Sequence, residues 1–152
     1  MSNADYTNRL LDRSGDGLLS RQDAVRLWAD QVSAYAEALR AREVPLAVIA
    51  NNPSMSQDPI ECLARHPRSE RCAEDAGPLL AELGVVSRPE REALERAGVA
   101  GILDVAPLIC VDDRCRAESE TGPIFSDSNH LSAGFVLSAT PLVSELLASG
   151  LK

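Results

Sequence analysis

Leu46-Ala47-Val48-Ile49-Ala50-Asn51-Asn52-Pro53 is a short apolar run, opened by Pro45 and closed by a polar turn. Such a run, too short for a helix and ended by Asn-Asn-Pro, predicts a buried strand of the kind found in parallel sheets. Upstream, Ser20 with Asp23 three residues later reads as a helix N-cap. Val25, Trp28, Val32, Tyr35 and Leu39 then recur at 3-4-3-4 spacing, which predicts an amphipathic helix to about Arg42, with Trp28 in the core. Downstream, residues 53–76 are rich in Pro, Ser and charge and predict an irregular loop with one short helical turn. Gly77 to Leu83 predicts a helix closed by Gly84. Ser87-Arg88-Pro89-Glu90 reads as the capping box of a second short helix stopped by Gly98. Ile102 to Ile109 predicts another strand, and Leu131 to Leu147 a last helix whose course Gly134 and Pro141 disturb.

The order helix, strand, loop, helices, strand, polar loop, helix implies an α/β layer fold with a parallel sheet. Two strands are too few for such a sheet to stand alone. The pattern therefore calls for a strand hidden in Tyr6 to Leu19, for neighbours from a partner chain such as a homo-oligomer, or for a fold of which this segment is one part.

The 152 residues are 45% hydrophobic and 25% charged, the make-up of one globular domain with a core. A net charge of −8 with no basic cluster argues against nucleic acid or an anionic membrane surface as partner. No apolar run approaches the roughly 20 residues needed to span a bilayer. Met1 to Ala4 resembles a cloning-vector remnant, leaving residues 5–152 as the natural segment. Four cysteines fall as two local pairs, Cys62 with Cys72 and Cys110 with Cys115. Neither pair has metal-site spacing. Three disulfide connectivities are possible, spacing favours the local one, and four free thiols are the alternative. The mixed charges of Glu90, Glu92 and Glu95 with Arg88, Arg91 and Arg96 read as a solvated helix face, and His66 as an exposed loop residue.

The chemistry concentrates in Ile124-Phe125-Ser126-Asp127-Ser128-Asn129-His130-Leu131-Ser132-Ala133-Gly134. A carboxylate and an imidazole three residues apart, ahead of a helix, form half of a nucleophile-activating device. By itself, Asp-x-x-His is equally the pattern of an Asx turn. This block resembles the closing block of SGNH-type domains, in particular those fused behind the membrane part of acyltransferase-three proteins, which O-acylate cell-surface glycans. The likeness runs from about Trp28 to the end, through Leu46 to Ala50, Pro59-Ile60-Glu61-Cys62-Leu63-Ala64-Arg65 and Ile102 to Leu108.

The resemblance implies a flavodoxin-like three-layer α/β fold of which this chain is the C-terminal half. It implies that His130 is the general base, oriented by Asp127, and that the cysteine pairs are disulfides of an extracytoplasmic domain tethered to a membrane acyltransferase. The implied reaction is acyl transfer through a serine ester to a glycan hydroxyl, without cofactor; a secreted SGNH esterase is the alternative. The family's nucleophile lies in a Gly-Asp-Ser block, and no Gly-Asp-Ser occurs here; Gly15-Asp16-Gly17 is the nearest string. The chain alone is therefore expected to be inert.

A different class of function, a non-enzymatic calcium-binding or interaction module, is offered by Asp12 to Asp23. Asp12, Ser14, Asp16 and Ser20 place oxygens at positions 1, 3, 5 and 9 of an EF-hand-like loop, with Gly17 at 6 and Asp23 at 12. Ser14 and Asp23 depart from the usual ligands, and Ser20 with Asp23 are equally explained as a helix cap.

Overall fold

The computed structural model describes Leu10, residues 17–66 and residues 69–150. Asp12, Ser14 and Asp16 of the calcium-loop expectation lie outside the described residues. Ser20 and Asp23 do form a cap: the Ser20 hydroxyl accepts the Asp23 N–H (3.2 Å) and donates to its carboxylate (2.7 Å). From that cap α1 runs over Arg21–Arg40. Strand β1 follows at Ala47–Ile49, and α2 at Pro59–Arg65 begins where Asp58 accepts the N–H groups of Ile60 and Glu61. A single 3-10 turn, Ser69–Cys72, leads to β2 at Glu74–Asp75.

Helix α3 spans Ala76–Ala97 without a break, where two shorter helices were expected. Gly84 does not end it, and Ser87 is not a cap: its hydroxyl donates to the Leu83 carbonyl within the helix (2.9 Å). An interior glycine and proline together cost about 4 kcal/mol. The helix persists because Val86, Ala93, Leu94 and Ala97 are buried and α3 lies along α1. Its end follows the sequence, with Gly98 left-handed at φ 75° and donating to Glu95 and Leu94 carbonyls.

Strand β3, Gly101–Leu103, pairs in parallel with β1, Val48 opposite Ile102. The strand expected through Ile109 stops early. Asp104 accepts the Ala106 N–H (3.0 Å), and Pro107 suits the first turn of the short α4, Ala106–Ile109. Four two-residue strands follow: β4 Cys110–Val111, β5 Arg114–Cys115, β6 Glu118–Ser119 and β7 Gly122–Pro123. β5 sits between β2 and β4, antiparallel to both, and β6 pairs with β7. The expected last helix is two, α5 Ala133–Ser138 and α6 Thr140–Gly150. Pro141 lacks the N–H an unbroken helix would need but fits the first turn of α6.

The result is a mixed α/β chain. Leu46, Val48 and Ile102 pack with Ala36, Leu94 and Ala97 of α1 and α3. On β3 the preceding residue, Gly101, meets α6 instead; a Cβ there would stand 2.5 Å from Leu146 Cδ1. A second core gathers Met55, Ile109, Ile124, Phe125 and Phe135 beneath the short strands. Both local cysteine pairs are bonded, Cys62–Cys72 and Cys110–Cys115. Among the described residues no helix is long and apolar enough to cross a membrane.

Candidate active site

Residues 124–132 double back on themselves. Ser132 N–H donates to the Ile124 carbonyl and Ser126 N–H to the His130 carbonyl, each at 2.8 Å, and Phe125 bridges to Leu131. Ile124 and Phe125 are fully buried and anchor the base of this loop. Ser132 then caps α5, accepting the Phe135 N–H (3.1 Å) while donating to the Pro123 carbonyl (2.5 Å).

The tip of the loop is Asp127 to His130. Asp127 Oδ1 accepts the N–H groups of Asn129 (2.9 Å) and His130 (2.7 Å). This is an Asx turn, so the structural reading of the spacing holds. The turn also fixes the other oxygen, and Oδ2 lies 2.6 Å from His130 Nδ1. One carboxylate thus shapes the backbone and holds the imidazole. The backbone N–H of His130, then that of Asn129, then the imidazole bond hold the Asp127 carboxyl down to about 2, from 3.8. Because Oδ2 is ionised and can only accept, Nδ1 carries the proton. In the neutral imidazole this leaves Nε2 with the lone pair a general base requires. About half of each side chain is open to solvent.

The sequence reading did not include a second set of residues that grips this turn from the loop after β1. The Asn52 side-chain amide donates to the carbonyls of Asn129 (2.9 Å) and Pro53 (3.0 Å). Met55 N–H donates to the Ser128 carbonyl (2.7 Å). That loop is itself tied down by Glu74, whose carboxylate accepts the N–H groups of Ser56 and Gln57 and the Ser56 hydroxyl. The signal available in sequence was Asn51-Asn52-Pro53 at the end of a parallel strand, the edge where α/β sheets place ligand-binding loops.

A family model described as "SGNH domain (fused to AT3 domains)" matches residues 2–144. The chain belongs to the SGNH family. Comparisons with curated proteins and with solved structures returned no match. The SGNH chain is thus an acyltransferase-associated module, of a family whose members are fused to membrane acyltransferase domains. His66, at the C-terminal end of α2, is part-buried rather than exposed. Among the described residues of this SGNH chain, no group of three or more His, Cys, Asp or Glu is placed to hold a metal ion.

Proposed function

We propose that Asp127 and His130 are the orienting acid and general base of a serine-ester acyl-transfer site. The observation that supports this best is the 2.6 Å contact between Asp127 Oδ2 and His130 Nδ1, because it fixes the tautomer that leaves Nε2 able to take a proton. The serine comes from a Gly-Asp-Ser block elsewhere in the full protein, of which residues 5–152 are the C-terminal part of a flavodoxin-like domain. His130 takes the serine hydroxyl proton as the oxygen attacks the acyl carbonyl and returns it to the leaving group. Asp127 stabilises the imidazolium. The acceptor is a hydroxyl of an extracytoplasmic glycan. Two disulfides in so short a chain support an oxidising compartment.

The test compares the full-length protein with its His130→Ala variant in an assay of acyl transfer to the glycan. Loss of about 10³-fold or more in kcat is expected, while the 152-residue chain alone does not hydrolyse p-nitrophenyl acetate. Full activity in His130→Ala would refute the assignment.

A further inference from the structure

A cleft of about 320 Å³ opens beside the C-terminal ends of β1 and β3, between Ala50–Asn51, Asp104–Ala106 and one face of α3. That is the edge of a parallel sheet where ligands bind in α/β folds, and the volume is at the lower end for small-molecule sites. A smaller cavity of about 70 Å³ shares Asn51 and Leu83 with it and has Asn52 in its wall. Asn52 is the residue that holds the Asp127–His130 turn. The cleft therefore lies along the same post-β1 loop as the candidate site.

Its charge is opposite to that of the chain. Arg88 and Arg91 against Asp104 leave one net positive charge in the lining, in a molecule of net −8. Both oxygens of Asp104 already have partners: Oδ2 accepts from Arg91 (2.9 Å) and Oδ1 from the Ala106 N–H. Glu82, in the wall of the smaller cavity, is taken by Arg21. Arg88 forms no ion pair among the described residues, and its guanidinium lies over Gly84, 3.5 Å from where a Cβ would stand. Leu80, Leu83 and Ala106 supply apolar wall. Ser87 keeps its lone pairs because its hydroxyl donates to Leu83. Two residues of the helix face that reads in sequence as solvated charge, Arg88 and Arg91, thus line a cavity.

We infer that this cleft binds the carboxylate of an acidic sugar, with Arg88 as the anion contact. A planar carboxylate suits a guanidinium fork, and the apolar wall suits the C–H face of a pyranose ring. This deepens the proposed acyl transfer by naming its acceptor class as a uronate-bearing glycan, and it rests on that reading.

The test is amide NMR titration of the chain with D-glucuronate, D-glucose, acetate and inorganic phosphate. Glucuronate is expected to shift Asn51, Ser87 to Arg91 and Ala106 with millimolar affinity. Glucose, acetate and phosphate should each bind at least about tenfold more weakly, since each lacks the carboxylate, the ring or both. Arg88→Gln should weaken glucuronate about tenfold or more, Arg88→Lys less, and Arg96→Gln, whose site is outside the cleft, not at all. Equal binding of phosphate or acetate, or shifts unchanged by Arg88→Gln, would overturn the inference. His130→Ala should bind glucuronate like wild type, so failure of the cleft and failure of the catalytic pair are read separately.

Discussion

The half of the molecule built on β1, α3 and β3 and the half that carries the Asp127–His130 turn are held by different means. In the first, two long helices lie along each other and a parallel strand pair packs on them around a small cluster of Ala36, Leu94 and Ala97, and no disulfide intervenes. In the second, the strands are two residues long. Its shape comes from the better buried of the two cores, built on Ile109, Ile124 and Phe125, from two disulfides and from single side chains such as Asp58, Glu74 and Asn52, which satisfy loop amides and carbonyls. Long elements specify a scaffold through their own backbone hydrogen bonds and extended helix-to-helix contact. Short ones specify a site through individual polar ties, each of which one substitution removes.

The largest test of that contrast removes the cross-links. Each bridge closes a short loop and contributes about 2–3 kcal/mol in the chain-entropy account. Cys62→Ala/Cys72→Ala and Cys110→Ala/Cys115→Ala should each lower stability by about that amount. Native-state amide exchange should accelerate in residues 55–75 and 110–132 and remain slow from Leu94 to Ile102. Uniform acceleration in both regions would mean the two halves unfold as one unit and that the distinction has no energetic content.

How far the sequence was legible follows the same division. The α1 helix, the Ser20 cap, the position of β1 and the Gly98 stop are local signals, and each appears where the pattern puts it. Burial followed less closely: Tyr35 of the expected apolar stripe and Ile49 of the expected buried strand are exposed, and Trp28 is half-buried rather than in the core. The parallel pairing of β1 with β3 follows from a helical crossover between them. Local signals failed where tertiary burial outweighed them, as in α3, which runs through Gly84 and Pro89 because its opposite face is covered by α1. They failed again at Asp104, where one side-chain bond turned an expected strand into α4. Within the site, Asp127 and His130 were visible because their contact spans three residues. Asn52 was not, since it meets Asn129 across a separation of 77 residues, and no periodicity encodes such a contact.

Asn52 therefore tests whether the two halves communicate. Asn52→Ala removes two hydrogen bonds, a cost of about 1–2 kcal/mol, without touching either core. The amides of Asn129 and His130 should exchange faster while those of α1 and α3 do not. If the turn keeps its protection in Asn52→Ala, the grip from the post-β1 loop is incidental, and the hairpin of residues 124–132 holds its tip alone.

The smallest effect is the most discriminating, because it separates the structural and chemical duties of one carboxylate. With its folded value lowered to about 2 from 3.8, Asp127 contributes stability above pH 3.8, and that contribution is lost as pH falls through about 2. The backbone N–H groups of His130 and Asn129 are the larger causes and survive in His130→Ala. The imidazole bond does not. The Asp127 carboxyl carbon, titrated by NMR, should therefore move its midpoint upward in His130→Ala and yet stay below 3.8. A midpoint at 3.8 would mean that the turn depends on the imidazole. An unchanged midpoint would mean that Oδ2 does not hold Nδ1 in solution, and the chemical half of the device would lose its orienting acid while the Asx turn remained.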